Sequence, residues 1–381
     1  MDEKQLIMMV DLVKQYQRLE SEMDAAMKQV LHQGNFIQGK EVRMFEQELA
    51  AYMENAAEVI SCGNGTDALQ LAFMALDLPK NAEVILPAFT YAALAEVVLL
   101  LGLKPVFVDV DINTYLIDIE SIESAITANT KVIAVVHLFG QMANMDAVMG
   151  LAKKHNLFVV EDAAQAIGSY YSGEMVSGFA GTIGDVGTTS FFPSKNLGCY
   201  GDGGAVFTRN KDLAKKITSL ANHGQNNKYY HEWVGINSRL DTIQAAILRV
   251  KLQHLQSFTE TRQNRANAYR QGLQMLVEAG HIILPELEAN STHVYHQFTF
   301  RLTVGEKREA LRKFLLDNGI SSMVYYPLPL HHQNAYRQDV ELPVSEGLCE
   351  SVLSLPICPE LSIENQQKII EKMQLFFAEN G

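Results

Sequence analysis

One lysine in this chain sits where water can do little for its charge. Lys195 lies in TTSFFPSKNLG, Thr188–Gly198, beside Phe191, Phe192, Pro193 and Leu197. An ε-amine crowded by apolar groups loses its proton more readily and can attack a carbonyl. Upstream, Asp162 closes the apolar run of VVEDAAQA. A carboxylate where a buried strand exits is costly unless it is paired. A cationic ring nitrogen would suit it, because the ion pair keeps a pyridinium protonated and so an electron sink. Together the lysine and the acid point to pyridoxal 5'-phosphate chemistry. Plainer roles also exist: a loop lysine, and an Asp that caps a helix at a strand–helix junction.

Other residues fit around that pair. In SCGNGTDAL, Ser61–Leu69, a strand ends, glycines turn the chain and a helix begins. Free N–H groups at a helix start attract a phosphate, and glycine lets it come close. The same residues, Gly63-x-Gly65-x-x-Ala68, also fit a dinucleotide fingerprint. That reading needs an acid ending the next strand, whereas Glu83 starts it. Tyr91, in PAFTYAA, follows a strand end and could lie flat on a planar ring. Gln165, one helical turn after Asp162, could donate to a ring hydroxyl oxygen, and Ser190 precedes the phenylalanines beside Lys195. Asn237 and Arg239 stand just before a long helix, and YYPLPLHHQ, Tyr325–Gln333, gathers tyrosines and histidines with little core periodicity. His331 and His332 have no carboxylate at ligand spacing, so no metal is expected.

Positioning these residues requires a particular scaffold. Strands are expected at Glu58–Ser61, Glu83–Pro87, Pro105–Asp109, Lys131–His137, Leu157–Glu161, Thr188–Phe192 and Gly204–Thr208. Helical patterns lie between most of them, at Asp67–Met74, Tyr91–Leu101, Ile119–Ile126, Met145–His155 and Lys211–Leu220. Apolar strands alternating with helices indicate an α/β fold whose mostly parallel sheet is covered on both faces. Ligands then bind at the carboxyl ends of the strands. A long helix follows from Asp241, and a second set of elements returns: strands at His293–Leu302 and Ser322–Tyr326, helices at Lys307–Asn318 and Ile363–Phe377. The expected division is a large domain at 1–250, including N-terminal helices, and a smaller C-terminal α/β domain at 251–381.

Composition narrows the classes. A net charge of −13 disfavours broad nucleic-acid or anionic-membrane binding, though an anionic ligand needs only local donors. The four cysteines form no C-x-x-C pair, so neither a zinc knuckle nor a disulfide framework is indicated. MDEKQLIMMVDLVKQ does not read as a signal peptide, and the apolar region near Ala92–Leu103 is broken by Glu96 and Gly102. A cytoplasmic protein is expected, with no membrane and no nucleic-acid partner.

NGTDAL, PAFTY, HLFGQ, EDAAQAIG, SFFPSKNLG, GDGGA, NHGQ, NSRLDTIQAAI and YPLPLH occur in the order and spacing of the DegT-type nucleotide-sugar aminotransferases. The resemblance spans nearly the whole chain. It implies a pyridoxal-phosphate enzyme of fold type I, with a seven-stranded large domain and a smaller C-terminal one. Lys195 then matches the lysine that binds the cofactor and shuttles the proton, Asp162 the pyridine-nitrogen partner, Gln165 the residue beside the ring oxygen and Tyr91 the stacking aromatic. Gly65, Thr66 and Ser190 match the phosphate cup. Asn237 matches a residue that reaches the phosphate of the neighbouring subunit, which implies a homodimer with shared sites. Arg239, Tyr325, Tyr326 and His331 fall among substrate contacts.

One branch of this family carries histidine in place of the lysine and removes a sugar hydroxyl. Lys195 therefore favours amino transfer, from L-glutamate to a keto group of a nucleotide-linked sugar. FFPSKNLGCYGDGGA with GINSRLDT looks most like members that aminate C3, with UDP-2-acetamido-2-deoxy-3-keto-glucuronate the leading expectation. The alternatives are a dTDP-3-keto-6-deoxyhexose or 4-keto-hexose substrate, a non-catalytic sensor that keeps the fold, and a Schiff-base aldolase or dehydratase. Several C3-aminating members read His-Tyr-Pro where this chain has Tyr325-Tyr326-Pro327, which leaves its sugar specificity open.

Overall fold

The computed structural model describes residues 6–380. Two helices, α1 (Leu12–Gln33) and α2 (Lys40–Tyr52), precede the central sheet. The strands of that sheet are β1 (Glu58–Cys62), β2 (Glu83–Pro87), β3 (Lys104–Val108), β4 (Thr130–Val136), β5 (Phe158–Asp162), β8 (Val186–Ser190) and β9 (Gly204–Thr208). A short hairpin, β6 (Tyr170–Ser172) and β7 (Ser177–Phe179), interrupts the series. The strand order is β1-β9-β8-β5-β4-β2-β3. Only β9 runs against the rest, pairing antiparallel with both β1 and β8. The reason is local. A parallel return needs a crossover, usually helical, and the β8–β9 connection carries Lys195 but no helix.

Helices cover both faces. On one side, α3 (Gly65–Ala75), α4 (Ala93–Leu100) and α7 (Lys211–Leu220) bury Leu69, Phe73, Leu94, Val98 and Ile217 against the sheet. On the other, α5 (Ile119–Ala125) and α6 (Met145–His155) bury Ile122, Met145, Val148 and Leu151. Burial on both faces explains why these strands read as apolar runs rather than alternating ones.

A second hairpin, β10 (Gln225–Asn227) and β11 (Tyr230–His231), leads to the helix α8, Thr242–Gly272. Ala245, Leu248 and Leu255 of α8 pack with α2, while Ala266 and Tyr269 enter a separate core. Residues 250 and 251 thus lie inside one continuous helix. After α9 (Gln274–Glu278), the second core is built on the antiparallel sheet β12 (Ile282–Ile283), β13 (Phe298–Leu302) and β14 (Val352–Leu355), with α10 (Lys307–Asp317) and α12 (Ile363–Asn380), while α11 (Pro343–Ser351) buries Leu348 and Cys349 in the first core. The strand expected at Ser322–Tyr326 does not form; Met323 makes a single bridge to Ser354. All four cysteines are buried and unpaired. Among the described residues, no helix is long and apolar enough to cross a membrane.

Candidate active site

The parallel strands deliver their carboxyl ends to one cavity of about 1220 Å³. Nine expected site residues line it: Gly65, Thr66, Tyr91, Asp162, Gln165, Ser190, Lys195, Tyr325 and Tyr326. The first seven come from the ends of β1, β2, β5 and β8 or the turns that follow; the tyrosines come from the segment between α10 and α11, which packs against the first core.

Burial of the Lys195 amine lowers its pKa to about 8, while the nearby Asp162 carboxylate pulls the other way. Burial pushes Asp162 up, and the Ala164 N–H, Lys195 and His137 draw it back. Among the described residues, the Asp162 carboxylate accepts one hydrogen bond, from the Ala164 N–H at 2.9 Å. A half-buried carboxylate so sparsely paired has capacity for a cationic partner from the cavity.

Beneath it lies a pair whose roles the sequence did not announce. Glu161 and His137 are fully buried, with Nε2 2.8 Å from Oε2. His137 Nδ1 accepts from the Ala143 N–H at 3.2 Å, so Nε2 carries the proton and donates to Glu161. Glu161 also accepts from the N–H groups of Gly181, Ile183 and Gly184 at 3.0, 2.7 and 2.6 Å. Burial alone would raise its pKa, but His137 and the N–H donors hold it below the ordinary value. The pair fixes β4 against β5 where His137 N–H meets the Asp162 carbonyl at 3.0 Å.

The phosphate cup is equally specific. Asn64 caps α3, its Oδ1 accepting from the Asp67 N–H at 2.8 Å. Among the described residues, the Gly65 and Thr66 N–H groups have no partner, as an anion site requires. A Cβ at Gly65 would lie 2.7 Å from Ser190 Cβ, so glycine is what lets α3 and β8 converge. Gln165 Oε1 accepts from the Phe139 N–H at 2.6 Å, which turns its amide nitrogen toward the Tyr326 hydroxyl at 3.2 Å. Burial pushes the Tyr326 phenol up, so it keeps its proton. Tyr91 is 63 % exposed with its ring centroid 6.3 Å from that of Tyr326, leaving a face for a planar group.

Three expected residues lie elsewhere. Asn237 is exposed and Arg239 half-buried, and neither lines this cavity. Between them, Ser238 Oγ accepts from the Gly63 N–H at 2.9 Å and donates to Asp67 at 2.5 Å, tying the segment to its own chain's phosphate turn. His331 does not line this cavity either: it is fully buried, with Nε2 3.1 Å from Glu346 Oε1. That oxygen also accepts from the Leu342 N–H at 3.1 Å at the start of α11. The fold therefore gives the His331–His332 pair a carboxylate invisible at sequence spacing, with ligand atoms within 4.8 Å of one another.

The profile of the DegT/DnrJ/EryC1/StrS aminotransferase family matches residues 17–374. The chain belongs to that family. It is 44% identical over 97% of its length to a pleiotropic regulatory protein of Geobacillus stearothermophilus, covering 98% of that protein. It is equally similar, at 44% over 97% of both chains, to the UDP-N-acetyl-3-dehydro-alpha-D-glucosamine 3-aminotransferase of Acidithiobacillus ferrooxidans. It is also 44% identical to the UDP-2-acetamido-2-deoxy-3-oxo-D-glucuronate aminotransferase of Pseudomonas aeruginosa, over 93% of this chain and 96% of the other. DesV from S. venezuelae superposes with a TM-score of 0.92 at 39% identity, covering 98% of this chain and 99% of its own. Membership of the DegT/DnrJ/EryC1/StrS family makes this chain a pyridoxal-phosphate-dependent aminotransferase.

Proposed function

We propose that this aminotransferase carries the amino group of L-glutamate to C3 of a UDP-linked 2-acetamido-3-keto sugar, with the glucuronate as its leading substrate. The observation that carries the reading is the convergence of Lys195, Asp162 and the cup Gly65–Thr66–Ser190 on one cavity. Two relatives bear UDP-sugar names with a keto group at C3, one a glucosamine and one a glucuronate, at the same identity. A dTDP-3-keto-6-deoxyhexose or 4-keto-hexose is the competing substrate.

The residues fit pyridoxal phosphate. Asp162 would face its ring nitrogen, Gln165 its ring oxygen and Tyr91 its ring face, with Gly65, Thr66 and Ser190 about its phosphate. When bound, the cofactor supplies a carbonyl for the amine and an electron sink. Lys195 would hold the cofactor through its ε-amine and, whenever that amine is free, would hold and move the proton. Asp162 keeps the ring site cationic. Tyr325, Tyr326 and Arg239 are assigned to the substrate.

The working unit is a homodimer in which Asn237 of a second copy completes the cup. Its exposure on this chain supports that, as do nearby Tyr229 and Val234, 77 % and 91 % exposed. The cofactor residues fall within 1–250, with Tyr325 and Tyr326 from 251–381, which supports a cofactor-binding domain and a smaller domain meeting over the cavity. Four buried, unpaired thiols suit a cytoplasmic setting.

The test is a set of amino-sugar nucleotides run in reverse with 2-oxoglutarate, reading glutamate. Release from the UDP-3-amino sugars is expected, fastest with the uronate. Turnover confined to dTDP-sugars or to 4-amino sugars would overturn the substrate assignment. If L-glutamate left the visible band of the purified protein unchanged, the donor half of the reading would fail.

A further inference from the structure

The cofactor site gives no role to His331, His332 and Glu346, yet the fold brings them together from two elements. His331 and His332 end the single helical turn Leu330–His332. Glu346 stands in the first turn of α11, fifteen positions after His331. Its Oε1 lies 3.1 Å from His331 Nε2 and 3.7 Å from His332 Nε2. One ligand atom from each residue falls within 4.8 Å of the other two. The imidazole centroids are 4.2 Å apart with planes at 52°. Neither ring stacks flat on the other, and both turn a nitrogen to the same carboxylate oxygen.

These spacings suit a small transition-metal cation. Bonds of about 2.0–2.1 Å in a tetrahedron set neighbouring ligand atoms about 3.3–3.4 Å apart. The two measured separations lie on either side of that distance. Two imidazoles and one carboxylate are donors for zinc and ions like it, whereas magnesium and calcium prefer oxygen throughout.

Both pieces of chain that carry the ligands are held to the sheet. The Leu330 N–H donates to the carbonyl of Ala88, just past β2, at 2.9 Å. Just past β3, Asp109 accepts from the Ser345 N–H at 2.7 Å and the Val344 N–H at 2.9 Å, at the start of α11. β2 and β3 are paired neighbours, so the helical turn and α11 are fixed to adjacent strand ends. The Leu342 N–H, at 3.1 Å, orients Glu346 Oε1 further. Ligands on anchored elements keep their geometry. His331 is fully buried and, among the described residues, its Nδ1 has no partner. That nitrogen is free to carry the ring proton when Nε2 faces a cation. His332 is exposed, which opens the site to solvent and to water as a fourth ligand.

We propose that His331, His332 and Glu346 form a binding site for one divalent cation of the zinc class. The cation clamps the segment that starts with Tyr325 and Tyr326 at the cavity, holding its far end to α11. It touches none of the reacting groups, and the site stands whether or not the substrate reading does.

The test is zinc uptake by untagged holoenzyme that has been stripped with a chelator and desalted. Titration against a chromophoric zinc indicator is expected to show one Zn²⁺ bound per chain, not displaced by Mg²⁺ in large excess. His332→Ala removes an exposed ring and leaves the buried His331–Glu346 contact, so it should melt like wild type without metal. It should nevertheless lose at least about tenfold in zinc affinity. Glu346→Gln keeps an acceptor for the Leu342 N–H and should lose a similar factor. Zinc should raise the melting temperature of wild type and leave that of both variants unmoved. No uptake by wild type, or equal uptake by wild type and His332→Ala, would overturn the proposal and leave the His331–Glu346 contact as a hydrogen bond that braces α11. Displacement of zinc by Mg²⁺ would overturn the assignment to the zinc class.

Discussion

The Lys195 amine is pulled two ways, by burial toward neutrality and by Asp162 toward charge, and burial wins to give a pKa of about 8. Since only the neutral amine attacks a carbonyl, pyridoxal phosphate capture by cofactor-free protein should rise through about pH 8 and then level off. Removing the carboxylate in Asp162→Asn takes away the charge that favours the ammonium, so the midpoint should move down. Stopped-flow absorbance at a series of pH values measures both. A wild-type midpoint in the ordinary lysine range, or an upward shift in Asp162→Asn, contradicts the electrostatics. At this scale the sequence was informative where a residue type clashed with its neighbours. Lys195 among phenylalanines and Asp162 at the end of an apolar run are such clashes. Glu161 and His137 were not legible as a pair. Their contact needs the register of β4 and β5, which places Val136 against Asp162 and so the next residue beside the strand end. His331 and Glu346 lie fifteen positions apart, and nothing local joins them.

Among the elements, the turn from β1 into α3 is the most constrained. Gly65 begins the helix where β8 ends, and any side chain there meets Ser190. Gly65→Ala should therefore push the helix start off the strand and weaken phosphate binding on the order of tenfold through the displaced N–H groups. It should also cost about 1–3 kcal/mol of stability from overpacking. Fluorescence titration with pyridoxal phosphate and a melting curve read the two effects, and unchanged affinity would remove Gly65 from the cup. The central strands were legible because both their faces are buried, so each is a short apolar run bounded by turn residues. The direction of β9 was not drawn from the sequence, although the missing helix between Ser190 and Gly204 was its signal. Ser322–Tyr326 has strand-like composition, but β13 takes β12 and β14 as its neighbours and leaves that segment to border the cavity. Tertiary pairing, rather than propensity, settled the small sheet.

At the scale of the whole molecule, the single chain leaves its proposed cup without Asn237. Ser238 anchors that segment to Gly63 and Asp67 of the same chain, and Asn237 beside it is exposed. A segment fixed at its base, with a polar side chain outside its own cavity, is suited to serving a neighbour in a symmetric dimer. Complementation decides the matter. Lys195→Ala and Asn237→Asp each disable the sites they enter, the first by removing the amine and the second by setting a carboxylate against phosphate. If the sites are shared, a mixed dimer holds one site with both native residues and one with neither. Refolding the two variants together at equal concentration makes about half of the dimers mixed, so about a quarter of wild-type turnover should return. If Asn237 acts within its own chain, both sites of the mixed dimer stay damaged and no activity returns. Tagging one variant and isolating the mixed species ensures that a silent result reports the site and not a failure to exchange.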